Sequence, residues 1–265
     1  MKATLDIISP IKIQQQLELD RITVLLGTNK SGKTTVLSCL ANAGEEAIIL
    51  SDNVYNPVGS CKIDEKIDVT YYIDSTGIHM PAPIFKLTKK SDILDKVVND
   101  IRNDLNKICN PSSPELNPGD KPELTPRDIL CNDEIDNMLA PIKTDTVASR
   151  LLNSLFFVHD VSKSAKVLLL LDDVVNNVYP ATAYLLGRVI SSLVNDNLYV
   201  VTSTYNWDFF AGLMKQERLR IYYMRMKGGN ISINEVKVSI NEITDMWYLP
   251  GFTLSVALAV ISKWS

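Results

Sequence analysis

The stretch from Arg21 to Ala41 reads RITVLLGTNKSGKTTVLSCLA, and it decides the fold. Its first part, Ile22 to Leu26, is aliphatic and β-branched, which is typical of a buried strand. The next segment, GTNKSGKT, is a full match to the pattern G-x-x-x-x-G-K-[ST]. Apolar residues then recur at helical spacing up to Ala41. The sequence therefore predicts a strand, a glycine loop and a helix, in the order that a phosphate-binding loop requires.

The chemistry of this loop follows from its residues. Glycines let the backbone turn so that successive N–H groups surround a phosphate, and the following helix directs its positive dipole at the same anion. Lys33 is expected to reach the β- and γ-phosphates and to act in catalysis, and the Thr34 hydroxyl is expected to ligate Mg²⁺. The residues predicted to bind ATP are Gly27, Thr28, Asn29, Lys30, Ser31, Gly32, Lys33, Thr34 and Thr35.

A second motif ends a run of five aliphatic residues, VLLLL, which is followed by Asp172 and Asp173. Such a run indicates a strand buried on both faces of a parallel sheet. Ligands bind at the carboxyl ends of strands in open α/β sheets, so both carboxylates are predicted to lie at the site. Asp172 is expected to hold Mg²⁺ opposite Thr34, and Asp173 to orient the attacking water. A strand ended by two aspartates is also a common strand-to-turn pattern, and only its pairing with the loop makes it informative.

The composition is that of a soluble globular protein able to bury a sizeable core. The chain has 265 residues, 46% hydrophobic and 22% charged, with a net charge of -4. This charge argues against a protein that coats nucleic acid with its whole surface, although a local basic patch would be compatible with it. The most apolar run, residues 246–262, is interrupted by Pro250 and Gly251, so no membrane insertion is expected.

The cysteines predict a cytoplasmic protein. Four are present, widely spaced and without a C-x-x-C pair, and only two histidines accompany them. Neither a disulfide framework nor a zinc site is indicated, so reduced and mostly buried thiols are expected. The cysteines are Cys39, Cys61, Cys109 and Cys131.

The rest of the chain predicts one α/β domain, residues 1–265, with a mainly parallel central sheet and an antiparallel β-layer. Strands at 4–8 and 11–19 are expected to form an antiparallel edge leading into the loop strand. The segments 67–73 and 77–80 alternate in the way typical of half-buried strands and are expected to form a small β-layer. A helix at 91–110, a proline-rich loop and a second helix at 127–140 indicate a helical insertion over residues 90–140. Further helices are expected at 146–159, 181–196, 207–216 and 252–262, strands at 47–50 and 198–203, and a hairpin at 219–238.

Two segments resemble ABC-type ATPases of the chromosome-maintenance, RecF-like and overcoming-lysogenisation-defect group. The run LLLLDDVVNNVYP, from Leu168 to Pro180, is similar to that group's L-L-L-I-D-E-P-E-N-x-L-H-P, and TVLLGTNKSGKTTVLSCL is similar to its T-x-L-x-G-x-N-G-x-G-K-S-T-L-L. The resemblance covers residues 1–45 and 146–206. It implies Lys33 and Thr34 on phosphate and metal, Asp172 on Mg²⁺, and Asp173 in place of the catalytic glutamate.

The sequence also departs from that group. No glutamine occurs between positions 16 and 216, the segment at 145–150 has no glycine where the group has a Ser-Gly signature, and Ser203-Thr204-Tyr205 stands where the group has a histidine. Lys30 replaces a loop glycine. The Asp173 side chain is one methylene shorter than glutamate, and a misplacement of about 1 Å can cost on the order of a hundredfold in rate.

These features predict an ATP-binding protein that hydrolyses ATP slowly or not at all, in which ATP acts as a conformational or dimerisation switch. A second copy of the chain or another protein is the expected partner.

The alternative is an active ATPase in DNA repair, segregation or defence. Arg218, Arg220 and Arg225 are basic, but they alternate with apolar strand residues, which favours a solvated hairpin face. A small-molecule kinase would share the loop but would need an arginine-rich lid, and the 110–127 loop contains only Arg127.

Overall fold

The computed structural model describes residues 1–27, 30–51, 56–76, 91–109, 146–176, 178–227 and 230–236. The strands are β1 Lys2–Ser9, β2 Ile13–Glu18, β3 Ile22–Leu26, β4 Glu46–Leu50, β5 Val58–Ile63, β6 Val69–Asp74, β7 Val167–Asp172, β8 Leu198–Ser203, β9 Leu219–Lys227 and β10 Asn230–Val236. The helices are α1 Lys33–Ala41, α2 Ser91–Cys109, α3 Thr146–Ser162, α4 Pro180–Leu193 and α5 Trp207–Leu213.

The central sheet has seven strands in the order β10-β9-β3-β8-β7-β6-β4. Every neighbouring pair is parallel except β9 and β10, which form an antiparallel hairpin. The predicted α/β class with a mainly parallel sheet is therefore confirmed. Because β8 lies between β3 and β7, the segment after β8 reaches the same sheet edge as the glycine loop and the two aspartates.

The strands around the site are buried because helices cover both faces of the sheet. All residues of β3, β7 and β8 are buried, as their continuous apolar runs predicted. One core lies under α2 to α5, and the other lies between the sheet, α1 and the antiparallel strands. Helix α4 begins at Pro180, whose missing N–H costs nothing in a first turn, and α5 is capped by Asn206, whose side chain accepts a hydrogen bond from the Phe209 amide.

The antiparallel layer is a separate three-stranded sheet in the order β2-β1-β5. The expectation that β1 and β2 form an edge of the loop-strand sheet is therefore wrong, although their mutual antiparallel pairing is correct. The placement of residues 67–73 in the antiparallel layer is also wrong, since β6 pairs in parallel with β4 and β7. Its residues Thr70 to Ile73 are buried, so β6 lacks the half-exposed surface that its sequence indicated.

The expectation of reduced cysteines is wrong for two of the four. Cys39 of α1 and Cys61 of β5 form a disulfide that joins the helix after the glycine loop to the antiparallel layer. Sequence spacing gave no signal for this pair because the two residues meet only when β5 pairs with β1 beside α1. Disulfides are rare in a reducing cytosol, so this bond weighs against the expected compartment.

Several predicted elements fall outside the described residues: the strand at 77–80, the loop and second helix of the 90–140 insertion, and the helix at 252–262. The first helix of the insertion is present as α2. In the described ranges no helix is both long and apolar enough to cross a membrane.

Candidate functional site

The glycine loop joins β3 to α1 and adopts backbone conformations that its glycines permit. Gly27 has φ 148° and Gly32 has φ 88°, both in the left-handed region that favours glycine. Gly32 is also the N-cap of α1, so the first helical amides point toward the loop. Lys30 has φ 66° and is exposed, while Thr28 and Asn29 lie outside the described residues. Both glycines of the motif, Gly27 and Gly32, therefore adopt backbone conformations that other residues rarely adopt.

The loop is also packed closely against the hairpin of β9 and β10. A Cβ on Gly27 would lie 2.3 Å from the backbone oxygen of Met224, and a Cβ on Gly32 would lie 2.2 Å from Cδ1 of Ile231. A side chain at either position would displace the loop or the hairpin. The hairpin thus supports the concave loop from the side opposite to β8.

Lys33 directs its ammonium back over the loop. Its Nζ donates to the Gly27 carbonyl oxygen at 2.8 Å and to Ser31 Oγ at 3.4 Å, and the residue is 8% exposed. Burial lowers the pKa of Lys33, and the charges of Asp173 and Asp172 oppose this shift. The cation therefore lies in the concavity of the loop and near the two carboxylates, where an anion would relieve the cost of its burial. Next to it in the chain, Thr34 is exposed and Thr35 is buried.

Asp172 ends β7 on the face that α1 covers, and two hydroxyl groups hold its carboxylate. Tyr72 Oη donates to Oδ2 at 3.0 Å, and Ser203 Oγ donates to Oδ1. These donors come from β6 and β8, the two strands that flank β7. Asp172 is 7% exposed. Its orientation is thus fixed from both sides by the parallel sheet.

Asp173 has a different environment, although it is the next residue. Its φ is 53°, so the chain turns sharply as it leaves β7. Oδ2 accepts a hydrogen bond from Asn176 Nδ2, the Tyr205 hydroxyl is hydrogen-bonded to the same carboxylate, and Oδ1 is buried with no hydrogen-bond partner among the described residues. Burial raises the pKa of Asp173 to about 6. One oxygen is therefore occupied and the other can still accept a hydrogen bond.

The structure thus brings together Lys33, Asp172 and Asp173, as the two motifs predicted. It adds three residues that sequence reasoning did not assign to the site: Tyr72 and Ser203, which donate to Asp172, and Asn176, which donates to Asp173. Tyr72 was missed because β6 was placed in the wrong sheet. Tyr205, noted in the sequence only as the replacement for a histidine, lies beside Asp173. In the described part of the chain, no three His, Cys, Asp or Glu side chains form a cluster that could hold a metal.

Two of the three arginines that the sequence singled out, Arg218 and Arg220, are engaged in ion pairs. Arg218 Nε lies 3.2 Å from Asp20, while Arg220 lies 3.1 Å from Glu18 and 2.6 Å from Glu235. Their partners lie on β2, on β10 and in the loop between β2 and β3. This arrangement fits the solvated hairpin face favoured by the sequence better than a nucleic-acid surface.

Comparisons with known proteins find similarity only at low levels. No protein-family model matches the chain, and no curated protein matches it. Among solved structures, it is similar to a putative metal-chelate type ABC transporter in an inward-facing conformation, with TM-score 0.45, 14% identity, and coverage of 94% of this chain and 89% of that one.

It is also similar to two chromosome-maintenance heads. The SMC head domain from Thermotoga maritima has TM-score 0.43 and 14% identity over 89% of this chain and 98% of that one. An SMC head bound to the C-terminal winged-helix domain of ScpA has TM-score 0.45 and 13% identity over 91% and 98%. At these TM-scores the similarities carry no argument about function, which has to come from the site.

Proposed function

We propose that this chain, as one domain over residues 1–265, is an ABC-type ATP-binding protein that holds ATP with Mg²⁺ on the loop from Gly27 to Thr35. The observation that carries the proposal is the position of the Lys33 ammonium, which lies over the Gly27 carbonyl and near Asp172 and Asp173. A buried cation beside the N-terminus of a helix is an arrangement that a triphosphate complements.

The metal part of the proposal rests on two side chains. Mg²⁺ in nucleotide sites is usually held by one or two carboxylates together with phosphate oxygens and water, so a cage of three protein ligands is not required. Thr34 at the start of α1 and Asp172 at the end of β7 fit this requirement. Held by these two residues, Mg²⁺ would offset the negative charge of the phosphates.

Slow or absent hydrolysis is supported by the surroundings of Asp173. The carboxylate that would orient a water is shorter than glutamate, and its Oδ2 is already engaged by Asn176. ATP would then act by its presence, as a conformational or dimerisation ligand that brings in a second copy or a partner protein. A cytoplasmic location remains part of this proposal, although the Cys39–Cys61 disulfide weighs against it.

One observation favours the alternative, an active ATPase in DNA repair, segregation or defence. Asp173 Oδ1 is buried and has no hydrogen-bond partner among the described residues, so it could accept a hydrogen bond from an attacking water. The ion pairs of Arg218 and Arg220 count against the DNA part of this alternative.

The test measures ATP affinity and then ATP turnover. Wild type is expected to bind ATP with Mg²⁺, Lys33→Ala to lose most of that affinity, and Lys62→Ala, which removes an exposed cation of β5 outside the loop, to retain it. Turnover with Mg²⁺ is expected near background in wild type and in Asp173→Asn. Clear turnover in wild type that Asp173→Asn abolishes would establish the active ATPase instead, and no ATP binding by wild type would refute both.

A further inference from the structure

The carboxylate of Asp172 is connected to the glycine-loop helix by a chain of hydroxyl groups. The Ser38 hydroxyl of α1 is hydrogen-bonded to Tyr72 Oη, and Tyr72 Oη donates to Asp172 Oδ2 at 3.0 Å. Ser38 is one helical turn after Thr34. The two residues that the proposed function assigns to Mg²⁺ are therefore joined through the protein by Tyr72.

The parallel register of the sheet explains why Tyr72 can reach Asp172. Tyr72 pairs with Leu170, and Asp74 pairs with Asp172, so Tyr72 lies two residues before the aspartate on the same face of the sheet. A tyrosine side chain is long enough to cover that distance along the strand, whereas a shorter residue would stop beside Leu170. The hydroxyl is 100 residues away from Asp172 in sequence.

Tyr72 is buried in a way that keeps its hydroxyl a donor. The residue is 4% exposed, and a tyrosine hydroxyl has an ordinary pKa of about 10. It is therefore protonated across the physiological range. An acceptor-only carboxylate and a protonated phenol can make this hydrogen bond in one direction only.

Asp74 is the other acidic group near Tyr72, and it serves a different purpose. Its Oδ1 accepts hydrogen bonds from the Thr76 amide at 2.9 Å and the Thr76 hydroxyl at 2.7 Å, and its Oδ2 accepts one from Ser51. The two bonds from Thr76 close the turn after β6, and the bond from Ser51 joins this turn to the end of β4. Asp172 is thus the carboxylate that Tyr72 orients.

We infer that Tyr72 is a positioning residue for the Asp172 carboxylate and strengthens Mg²⁺ binding through it. Ser203 performs the same task from β8 by donating to Oδ1. This inference rests on the proposed function, because it assigns Asp172 to the metal. Groups that hydrogen-bond a metal ligand fix its orientation, and their loss typically lowers metal affinity about 10–100-fold.

The experiment compares Tyr72→Phe with Tyr71→Phe. Tyr71 is the neighbouring residue on the same strand and is also 4% exposed, but it faces the opposite core, where its ring packs edge-on against Phe157. For each variant, ATP affinity is measured in EDTA and then across a Mg²⁺ titration. Tyr72→Phe is expected to raise the Mg²⁺ concentration at half-saturation about 10–100-fold and to leave affinity in EDTA unchanged. Tyr71→Phe is expected to change neither.

Other outcomes overturn the inference in distinguishable ways. An unchanged Mg²⁺ half-saturation in Tyr72→Phe, or equal effects of both variants, would show that Tyr72 has only a packing role. A wild type that binds no ATP would overturn the proposed function together with the inference. Should Tyr72→Phe fail to fold, Ser203→Ala decides the matter, since it removes the other donor to Asp172 and is expected to raise the same half-saturation.

Discussion

Gly27 lies directly against the backbone carbonyl of Met224, so that a Cβ on Gly27 would come within 2.3 Å of the Met224 oxygen. The first glycine of the phosphate-binding loop is thus fixed by contact with β9 as well as by its φ of 148°. The atom it meets belongs to the backbone and cannot rotate away. The hairpin of β9 and β10 therefore contributes to the shape of the loop.

We expect Gly27→Ala to lose ATP binding and to destabilise the fold by at least about 1–3 kcal/mol, the usual cost of a residue held in a backbone region open only to glycine. The measurements are ATP affinity and urea unfolding. Gly44→Ala is the matched control, because the added Cβ would meet the Thr70 hydroxyl at 2.4 Å, whereas the backbone oxygen near it, that of Glu46, lies at 3.6 Å, an ordinary contact distance. ATP binding by Gly27→Ala equal to wild type would contradict this account of the loop.

Asp173→Glu tests whether side-chain length limits hydrolysis. If the missing methylene is the main defect, turnover should rise by up to about a hundredfold, since a misplacement of about 1 Å has a cost of that order. The φ of 53° favours Asp over Glu, so a modest loss of stability is expected beside the gain. Steady-state phosphate release gives the rate, and Asp173→Asn is the control that lacks the charge. No gain in rate would point to Asn176 and Tyr205 as the cause of slow hydrolysis.

The Cys39–Cys61 disulfide should make stability depend on reductant. The two residues are 22 positions apart, and closing a loop of that length stabilises a protein by about 3 kcal/mol in the chain-entropy model. Urea unfolding with and without reductant should differ by that amount. In the double variant Cys39→Ser with Cys61→Ser, the two curves should coincide. A wild type that responds to reductant no more than the double variant does would exclude this bond.

The ion pair between Glu65 and Lys166 should make the stability of the fold depend on pH. Its Oε2 lies 2.5 Å from Lys166 Nζ, and this hydrogen bond lowers the pKa of Glu65 below its ordinary value. Because the folded-state pKa is the lower one, the ion pair stabilises the fold above the ordinary pKa of about 4.3, and the contribution disappears as pH falls through the lowered value.

Glu65→Gln should therefore lower the melting temperature at pH 7 and match wild type well below pH 4. The pair is partly exposed, so solvent screening limits the effect to about 0–1 kcal/mol. Glu45→Gln is the control, since its pair with Lys66 is largely exposed. A difference that persists at low pH would assign the effect to packing.

The sequence by itself determined the strands, the loop and the helices that have strong local signals. The residues of β3, the glycine loop and α1 are contiguous in the chain. The continuous apolar runs of β7 and β8 predict that these strands are buried. From these, the parallel sheet and the meeting of Lys33 with Asp172 and Asp173 could be predicted. Each of these features depends on local pattern and on the rule that ligands bind at the carboxyl ends of parallel strands.

Only the tertiary structure decided which sheet each antiparallel or ambiguous strand joins. The alternating pattern of β6 predicted a half-exposed strand, but helices cover both of its faces, and this burial brings Tyr72 to Asp172 across 100 residues. The pairing of β5 with β1 likewise brings Cys61 to Cys39. Strand partners are chosen by long-range packing, which periodicity along the chain does not encode, and so the hydroxyl groups that hold the aspartate could be found only in the folded structure.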